Sequence, residues 1–486
     1  GAEGEKATSA MLTPMRLTPT EFLEKHLIPN APALLDASST ETDSWGAARW
    51  RTGNDSVNFE ALRELCTQLG DPRVPVEIVP GHDAHAGYGS RRRDEMALSE
   101  FLAQWEECKG SHHDPESSVA DIPQLPYLKD WHLERDHGKT VARSLYAVPP
   151  QFQEDWLNLW ADSRGDDYRF VYMGPAGTWT AMHHDVLYSY SWSVNVVGYK
   201  RWYLFPPGTE DLLMHKGSLV PDSRERACGA YPPLIQQAVK AARGRSVIID
   251  QGPGEALFVP SGWHHQVHNV TDCISINHNW TNGVGIEHVW GFLEHQLRQV
   301  EVQLDEFRPG PNHPLAFEGM RAWHDHCQLV LAADSGMDVS QTIELMAMGA
   351  RDTMRKVELG AGSGWLSGLV HVLRHHERHF PARCDSAPPG DLAAPAGHVA
   401  CDLTKDHARA SSSVRSDEQG HNCETGNGMH TGDASTIDGK GVPTSNSASS
   451  TGRSDSSGNE VPLWIASVPG PARERFLQLC RELGQL

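Results

Sequence analysis

Tyr190-Ser-Trp-Ser-Val-Asn-Val-Val-Gly-Tyr-Lys-Arg-Trp-Tyr-Leu-Phe205 sets two runs of β-branched and aromatic residues on either side of Gly198. Such runs suit a pleated, half-buried surface, and the glycine between them marks a turn. The same texture spreads outward over residues 168–280. Arg169-Phe-Val-Tyr172 precedes it, and Ser246-Val-Ile-Ile249, Ala256-Leu-Phe-Val259, Gln266-Val-His-Asn-Val270 and Cys273-Ile-Ser-Ile276 follow. Short strands broken by Gly/Pro turns predict a mainly β sandwich or barrel, and the absence of a fixed repeat argues against a propeller.

The flanks read differently. Leu17-Thr-Pro-Thr-Glu-Phe-Leu23 carries a Thr/Pro start signal and predicts a helix over 17–28. Phe59, Leu62, Leu65 and Leu69 share one face of a helix over 58–69, followed by a strand at 74–79 and a helix at 98–105. The chain therefore divides into a flexible lead (1–16), an N-terminal α/β region (17–135) that includes a polar loop at 109–123, and a β core (136–307) closing on a helix over 286–307. Helices over 315–332, 340–354 and 363–379 make 308–380 a helical C-terminal region. Residues 381–460 contain no Phe, Trp or Tyr and cannot offset an ordering entropy of about 1–2 kcal/mol per residue, so disorder is expected there. Phe476, Leu477, Cys480 and Leu483 restore a helical pattern in 461–486.

Composition bounds the partners. In 486 residues, Lys plus Arg number 42 against 63 Asp plus Glu, a net charge of −21 that disfavours direct nucleic-acid or anionic-membrane binding and suits a basic protein surface. Nine cysteines without a Cys-x-x-Cys pair suggest neither a disulfide framework nor a Cys-type zinc site. No run approaches the roughly 18 apolar residues of a spanning helix. A cytoplasmic location is the expectation, with a nuclear one left open; because the first residue is Gly1, an upstream targeting signal is left open too.

The pattern His-x-Asp/Glu occurs at His112/Asp114, His132/Glu134, His183/Asp185 and His375/Glu377. Isolated matches are usually surface polarity, but the 183 copy alone lies among consecutive strands with a second His-bearing element, Val259-Pro-Ser-Gly-Trp-His-His-Gln-Val-His268, downstream. A strand period of two would place His183 and Asp185 on one face, and would send His264 and His265 to opposite faces. Two imidazoles and one carboxylate with open positions form the ligand set of non-haem Fe(II) oxygenases, whereas a structural zinc site needs a fourth protein ligand. Elsewhere, His371, His375 and His379 recur at helical spacing but fail the zinc-protease pattern, and Gly360-Ala-Gly-Ser-Gly364 reads as a helix breaker rather than a phosphate loop.

Tyr168-Arg-Phe-Val-Tyr-Met-Gly-Pro175, His183-x-Asp185, Gly198-Tyr-Lys-Arg-Trp202 and Phe258-Val-Pro-Ser-Gly-Trp-His-His-Gln-Val-His-Asn269 with Ile274-Ser-Ile-Asn-His-Asn-Trp280 together resemble the JmjC-domain 2-oxoglutarate oxygenases. Tyr127-Leu-Lys-Asp-Trp-His132, Asp155-Trp-Leu-Asn158 and Ser191-Trp-Ser-Val-Asn195 narrow the likeness to a lysyl-hydroxylase branch; it spans residues 17–307. The resemblance implies a double-stranded β-helix, the cupin-like jelly roll. It makes His183, Asp185 and His265 the Fe(II) ligands, with His264 in a packing role. Lys200 would pair with the distal carboxylate of 2-oxoglutarate, with Thr180, Tyr127 and Asn277 beside it; Asn195 is a weaker candidate, out of phase with Lys200 unless a bulge intervenes. The implied reaction consumes O2 and 2-oxoglutarate and hydroxylates a lysine side-chain carbon of a class-1 translation release factor. Two alternatives stand beside it: N-methyl-lysine demethylation of histones, and a non-catalytic jelly-roll binding protein.

Overall fold

A computed structural model describes residues 10–79, 92–108, 124–229, 231–310, 317 and 319–358. The expected disordered tract, the helices at 363–379 and 461–486, His371, His375, His379, the 360–364 glycines, the 109–123 loop and the His112 and His375 motif copies lie outside them. Among the described residues, no helix is long and apolar enough to cross a membrane, and Cys66, Cys108, Cys228, Cys273 and Cys327 are free thiols.

In chain order the strands are β1 (Ala10–Met11), β2 (Ala33–Leu35), β3 (Arg73–Val79), β4 (Arg93–Ala97), β5 (Leu125–Trp131), β6 (Arg169–Gly174), β7 (Trp179–His183), β8 (Tyr190–Val197), β9 (Lys200–Phe205), β10 (Met214–His215), β11 (Ser218–Leu219), β12 (Val247–Gln251), β13 (Ala256–Val259), β14 (His264–Asn269) and β15 (Cys273–Trp280). They form a five-stranded sheet in the order β1-β12-β9-β14-β7 and an eight-stranded sheet in the order β2-β13-β8-β15-β6-β5-β3-β4, beside the small β10-β11 hairpin. From β6 onward the chain alternates between the two sheets, with β9 and β12 as neighbours in the smaller one. Eight strands so wound are the double-stranded β-helix the motifs imply, with β2 to β5 extending the larger sheet.

The larger sheet reverses the usual sandwich pattern, in which the enclosed face is apolar. Ser191, Ser193 and Asn195 of β8 stand opposite Asn279, Asn277 and Ser275 of β15, and Phe170 and Tyr172 of β6 stand opposite Asn277 and Ser275. This face meets the smaller sheet, because Lys200 of β9 bonds Ser275 and Gln251 of β12 bonds the Ser193 carbonyl. The alternate residues Trp192, Val194, Ile274, Ile276 and Trp280 point outward into the largest apolar cluster, where Phe22, Trp50 and Trp105 of the N-terminal region, together with Phe152, cover them. The N-terminal region thus supplies the core, which leaves the inside of the roll free to be polar.

The lead-in helix begins at Thr18, where the Thr/Pro signal predicts a start; the Thr18 hydroxyl and Glu21 carboxylate form a capping box, and the helix continues from Pro19–Phe22 into a π-helical turn at Leu23–Leu27. C-terminal to the roll, the helices Ile286–Gln303, Met320–Ser335 and Val339–Glu358 match the expected ones to within a few residues.

Gly198 holds the turn that launches Lys200. Its φ is +82°, and a Cβ there would lie 2.0 Å from the Asp272 carbonyl oxygen and 2.9 Å from Cys273 Sγ. Left-handed backbone and a backbone clash act together, so Gly198→Ala is expected to cost about 3 kcal/mol or more of stability in urea unfolding. A loss below about 0.5 kcal/mol would contradict that account.

Candidate metal centre

His183 is the last residue of β7 and stands opposite His265 of β14 in the ladder. Asp185 lies two residues beyond the end of β7. It has left the sheet at φ −69°, ψ 150° and precedes a 3-10 turn at Val186–Tyr188, in which Leu187 and Tyr188 adopt positive φ. Even so, one ligand-capable atom from each of His183, Asp185 and His265 lies within 4.8 Å of the others. Asp185 keeps extended backbone although the ladder ends at His183, and its carboxylate comes together with His183 as alternation predicts.

The surrounding bonds aim these donors. His183 Nδ1 donates to the Ala181 carbonyl at 2.8 Å and His265 Nδ1 to the Trp263 carbonyl at 3.1 Å, which leaves Nε2 of each ring to serve a metal. Burial, with His265 and the Lys129 ammonium nearby, holds the His183 imidazole well below its ordinary pKa, so it is neutral. Asp185 Oδ2 accepts from the Ser191 hydroxyl at 2.7 Å, which orients the carboxylate. Two imidazoles and one steered carboxylate fit a divalent iron; no sulfur or third imidazole joins them among the described residues.

His264 points the other way. Its ring meets that of His184 edge-on at 5.3 Å, and burial, His184 and His265 push its pKa down to about 3. His184 packs in turn on Tyr188 and Phe292. The second carboxylate-histidine group is His132 with Asp166 and Asp167. His132 Nδ1 donates to Asp167 at 2.6 Å, Asp167 also accepts from the Arg135 backbone N–H, and the Arg135 guanidinium sits on Asp166. With a guanidinium and a helix start already satisfying both carboxylates, this group is structural.

Lys200 is 2% exposed at the start of β9, and its Nζ donates to Ser275 Oγ at 2.6 Å. Burial pushes its pKa down to about 8. Asn277 Nδ2 reaches the same Ser275 oxygen at 3.1 Å, and the Tyr172 ring centroid lies 5.9 Å from Nζ. The Tyr127 hydroxyl lies against Thr180 and Asn269, and burial raises its pKa. Tyr127 fits only because residue 174 is glycine: a Cβ there would come within 2.6 Å of its ring.

Two bulges bring odd-spaced residues onto the inner face. Between the pairs His183/His265 and Thr180/Val267, β7 advances three residues while β14 advances two, so Thr180 shares the phase of His183. A second shift, between Val197/Ile274 and Asn195/Ser275, puts Asn195 in phase with Ser275, the partner of Lys200. Asn195 itself holds the turn, with Nδ2 donating to the Gly198 carbonyl. Asn195 Oδ1 and Ser193 Oγ are buried without a hydrogen-bond partner among the described residues, as expected of walls built for a polar ligand. Ser275 and Ser191 were missed from sequence. Ser275 lies two residues before Asn277 and so was within reach of strand periodicity; Ser191 was not, because its partner Asp185 lies off the ladder.

Comparison with known proteins agrees with this geometry. Residues 170–280 match the family model "JmjC domain, hydroxylase". The chain is 36% identical over 368 residues to human "2-oxoglutarate and iron-dependent oxygenase JMJD4", covering 73% of this chain and 80% of that protein. Its mouse counterpart is 35% identical over 357 residues, covering 72% and 76%. The Arabidopsis thaliana "Arginine-specific demethylase JMJ20" is 34% identical over 346 residues, covering 67% of each chain.

Proposed function

The chain belongs to the JmjC-domain 2-oxoglutarate- and iron-dependent oxygenases, and from that membership we propose that it is a protein hydroxylase acting on a lysine side-chain carbon of a class-1 translation release factor. The observation that carries the reading is the gathering of His183, Asp185 and His265 within one coordination sphere of a polar-walled roll. Likeness to the lysyl-hydroxylase branch supports the lysine, and a net charge of −21 suits a basic partner met in the cytoplasm.

His183, Asp185 and His265 would hold the iron, and Lys200 with Ser275 would bind the distal carboxylate of 2-oxoglutarate. When bound, the metal and co-substrate supply oxygen activation paid by oxidative decarboxylation to succinate and carbon dioxide. The protein's own part is orientation and exclusion of water. The Ala181 and Trp263 carbonyls fix both imidazole tautomers, and Ser191 steers Asp185. Lys200, with Thr180, Tyr127 and Asn277 around it, anchors the far end of the co-substrate so that its reactive end lies toward the triad. Tyr127 stays protonated and serves as a hydroxyl donor.

A rival reading is removal of N-methyl groups from lysine or arginine, which draws support from the printed name of the Arabidopsis relative. Incubation with Fe(II), 2-oxoglutarate and recombinant release factor, with succinate and intact protein mass as readouts, separates the two. Hydroxylation leaves one added oxygen on a lysine. Loss of a methyl from methylated peptides, with no oxygen gained by the release factor, would replace the proposal by demethylation. Absence of both succinate and iron binding would favour a non-catalytic binding protein.

A further inference from the structure

Between β9 and β12 the chain makes a long excursion, and near residues 220–224 it returns against the outer side of the smaller sheet, behind the two strands that carry His183 and His265. The Met182 N–H, within the bulged stretch of β7, donates to the Pro221 carbonyl at 2.8 Å. One residue further on, the Asp222 carboxylate, 3% exposed, accepts from Gln266 Nε2 at 2.9 Å. Gln266 Oε1 accepts from the Ser223 N–H at 2.7 Å, and its amide also reaches His268 Nε2 at 2.8 Å.

Gln266 directly follows His265 on β14, so alternation sends its side chain outward while His265 points inward. Whatever fixes the outward amide fixes the roll of the strand about its axis, and with it the aim of His265. Burial alone would raise the Asp222 pKa, but the Arg224 guanidinium 2.6 Å away outweighs it and keeps the carboxylate charged. Asp222 is thus a fully formed acceptor, and Met182 and Gln266 tie both ligand-bearing strands to one short segment. Metal constellations require such support, since tolerances of about 0.5 Å decide whether a site works.

We propose that Asp222, acting through Gln266, is a positioning residue of the metal centre, holding β14 so that His265 meets His183 and Asp185. This rests on the assignment of those three side chains as the iron ligands. Anaerobic calorimetric titration of the full chain with Fe(II), alongside the melting temperature of the metal-free protein, tests it.

Asp222→Ala and Gln266→Met are each expected to weaken Fe(II) affinity about tenfold, and the double variant no more than the weaker single, because both cut one link. Asp222→Asn keeps an oxygen that accepts from Gln266, so it restores near-parental affinity although it breaks the charge pair with Arg224. A role confined to stability would lower all the melting temperatures and leave metal affinity unchanged. Parental affinity in Gln266→Met, or an Asp222→Asn as weak as Asp222→Ala, overturns the proposal. Gln266→Met decides alone should Asp222→Ala fail to fold. Parental Fe(II) affinity in Asp185→Ala, in the same titration, would sink the ligand assignment instead.

Discussion

Asp185→Ala is expected to abolish iron-dependent succinate release and to weaken Fe(II) binding by more than about a hundredfold. Loss of an outer partner of a metal ligand costs about 10–100-fold, and Asp185 is the one carboxylate of the triad, so its loss must exceed that range. Two imidazole lone pairs alone offer no negative charge to offset a divalent cation. The fold should survive the change, because Asp185 is only partly buried, sits outside the ladder, and uses its carboxylate on the Ser191 hydroxyl. The neighbouring histidine supplies the contrast. His184 faces Tyr188, Phe292 and His264, so His184→Ala should lower stability by about 1–3 kcal/mol through lost packing while iron-dependent turnover persists. Equal turnover by the Asp185 variant and the parent would remove the ligand assignment.

Much of this site is legible in the amino-acid sequence, and the limits of legibility have physical causes. His183 and His265 stood out because the β texture around them is continuous, and Lys200 because a lysine between Gly198 and Trp202 falls within a recognised motif. Strand alternation brought Asp185 together with His183 and turned His184 away, but it could not put Thr180 on the face of His183, since a bulge is a change of count that residue types do not announce. Asn195 shows the same effect, with its phase depending on a register shift at the end of β8. The inverted polarity of the larger sheet was hidden in another way: both faces of β8 and β15 are buried, so alternation of Ser/Asn with Trp/Val/Ile reads as a strand half open to water. Asp222 was invisible because its meaning lies entirely in which strand the excursion returns to.

Lys200→Ala should raise the KM for 2-oxoglutarate by roughly 30- to 1000-fold, equivalent to about 2–4 kcal/mol, the cost of removing one partner from a desolvated charge pair. Lys200→Arg should not rescue it, since a planar fork cannot replace a compact ammonium beside Ser275 in a space closed by Tyr172. The same burial gives a pH signature. With the lysine pushed down to about 8, only the protonated fraction is ready to pair, so co-substrate affinity at pH 9 should be about tenfold weaker than at pH 7. Stability of the ligand-free protein runs the opposite way. Between about pH 8 and the usual lysine value of 10.5 the unfolded chain holds more protons than the folded one, so folding stability from this group rises with pH across that window. A bound carboxylate reverses the bias by favouring the ammonium, and binding must therefore take up a proton in alkaline solution. Calorimetry in buffers of different ionisation enthalpy should show uptake close to zero at pH 7 and approaching one proton per site at pH 9, absent in Lys200→Ala. Affinity and proton uptake that stay constant over this range would mean that the anchoring cation is not Lys200.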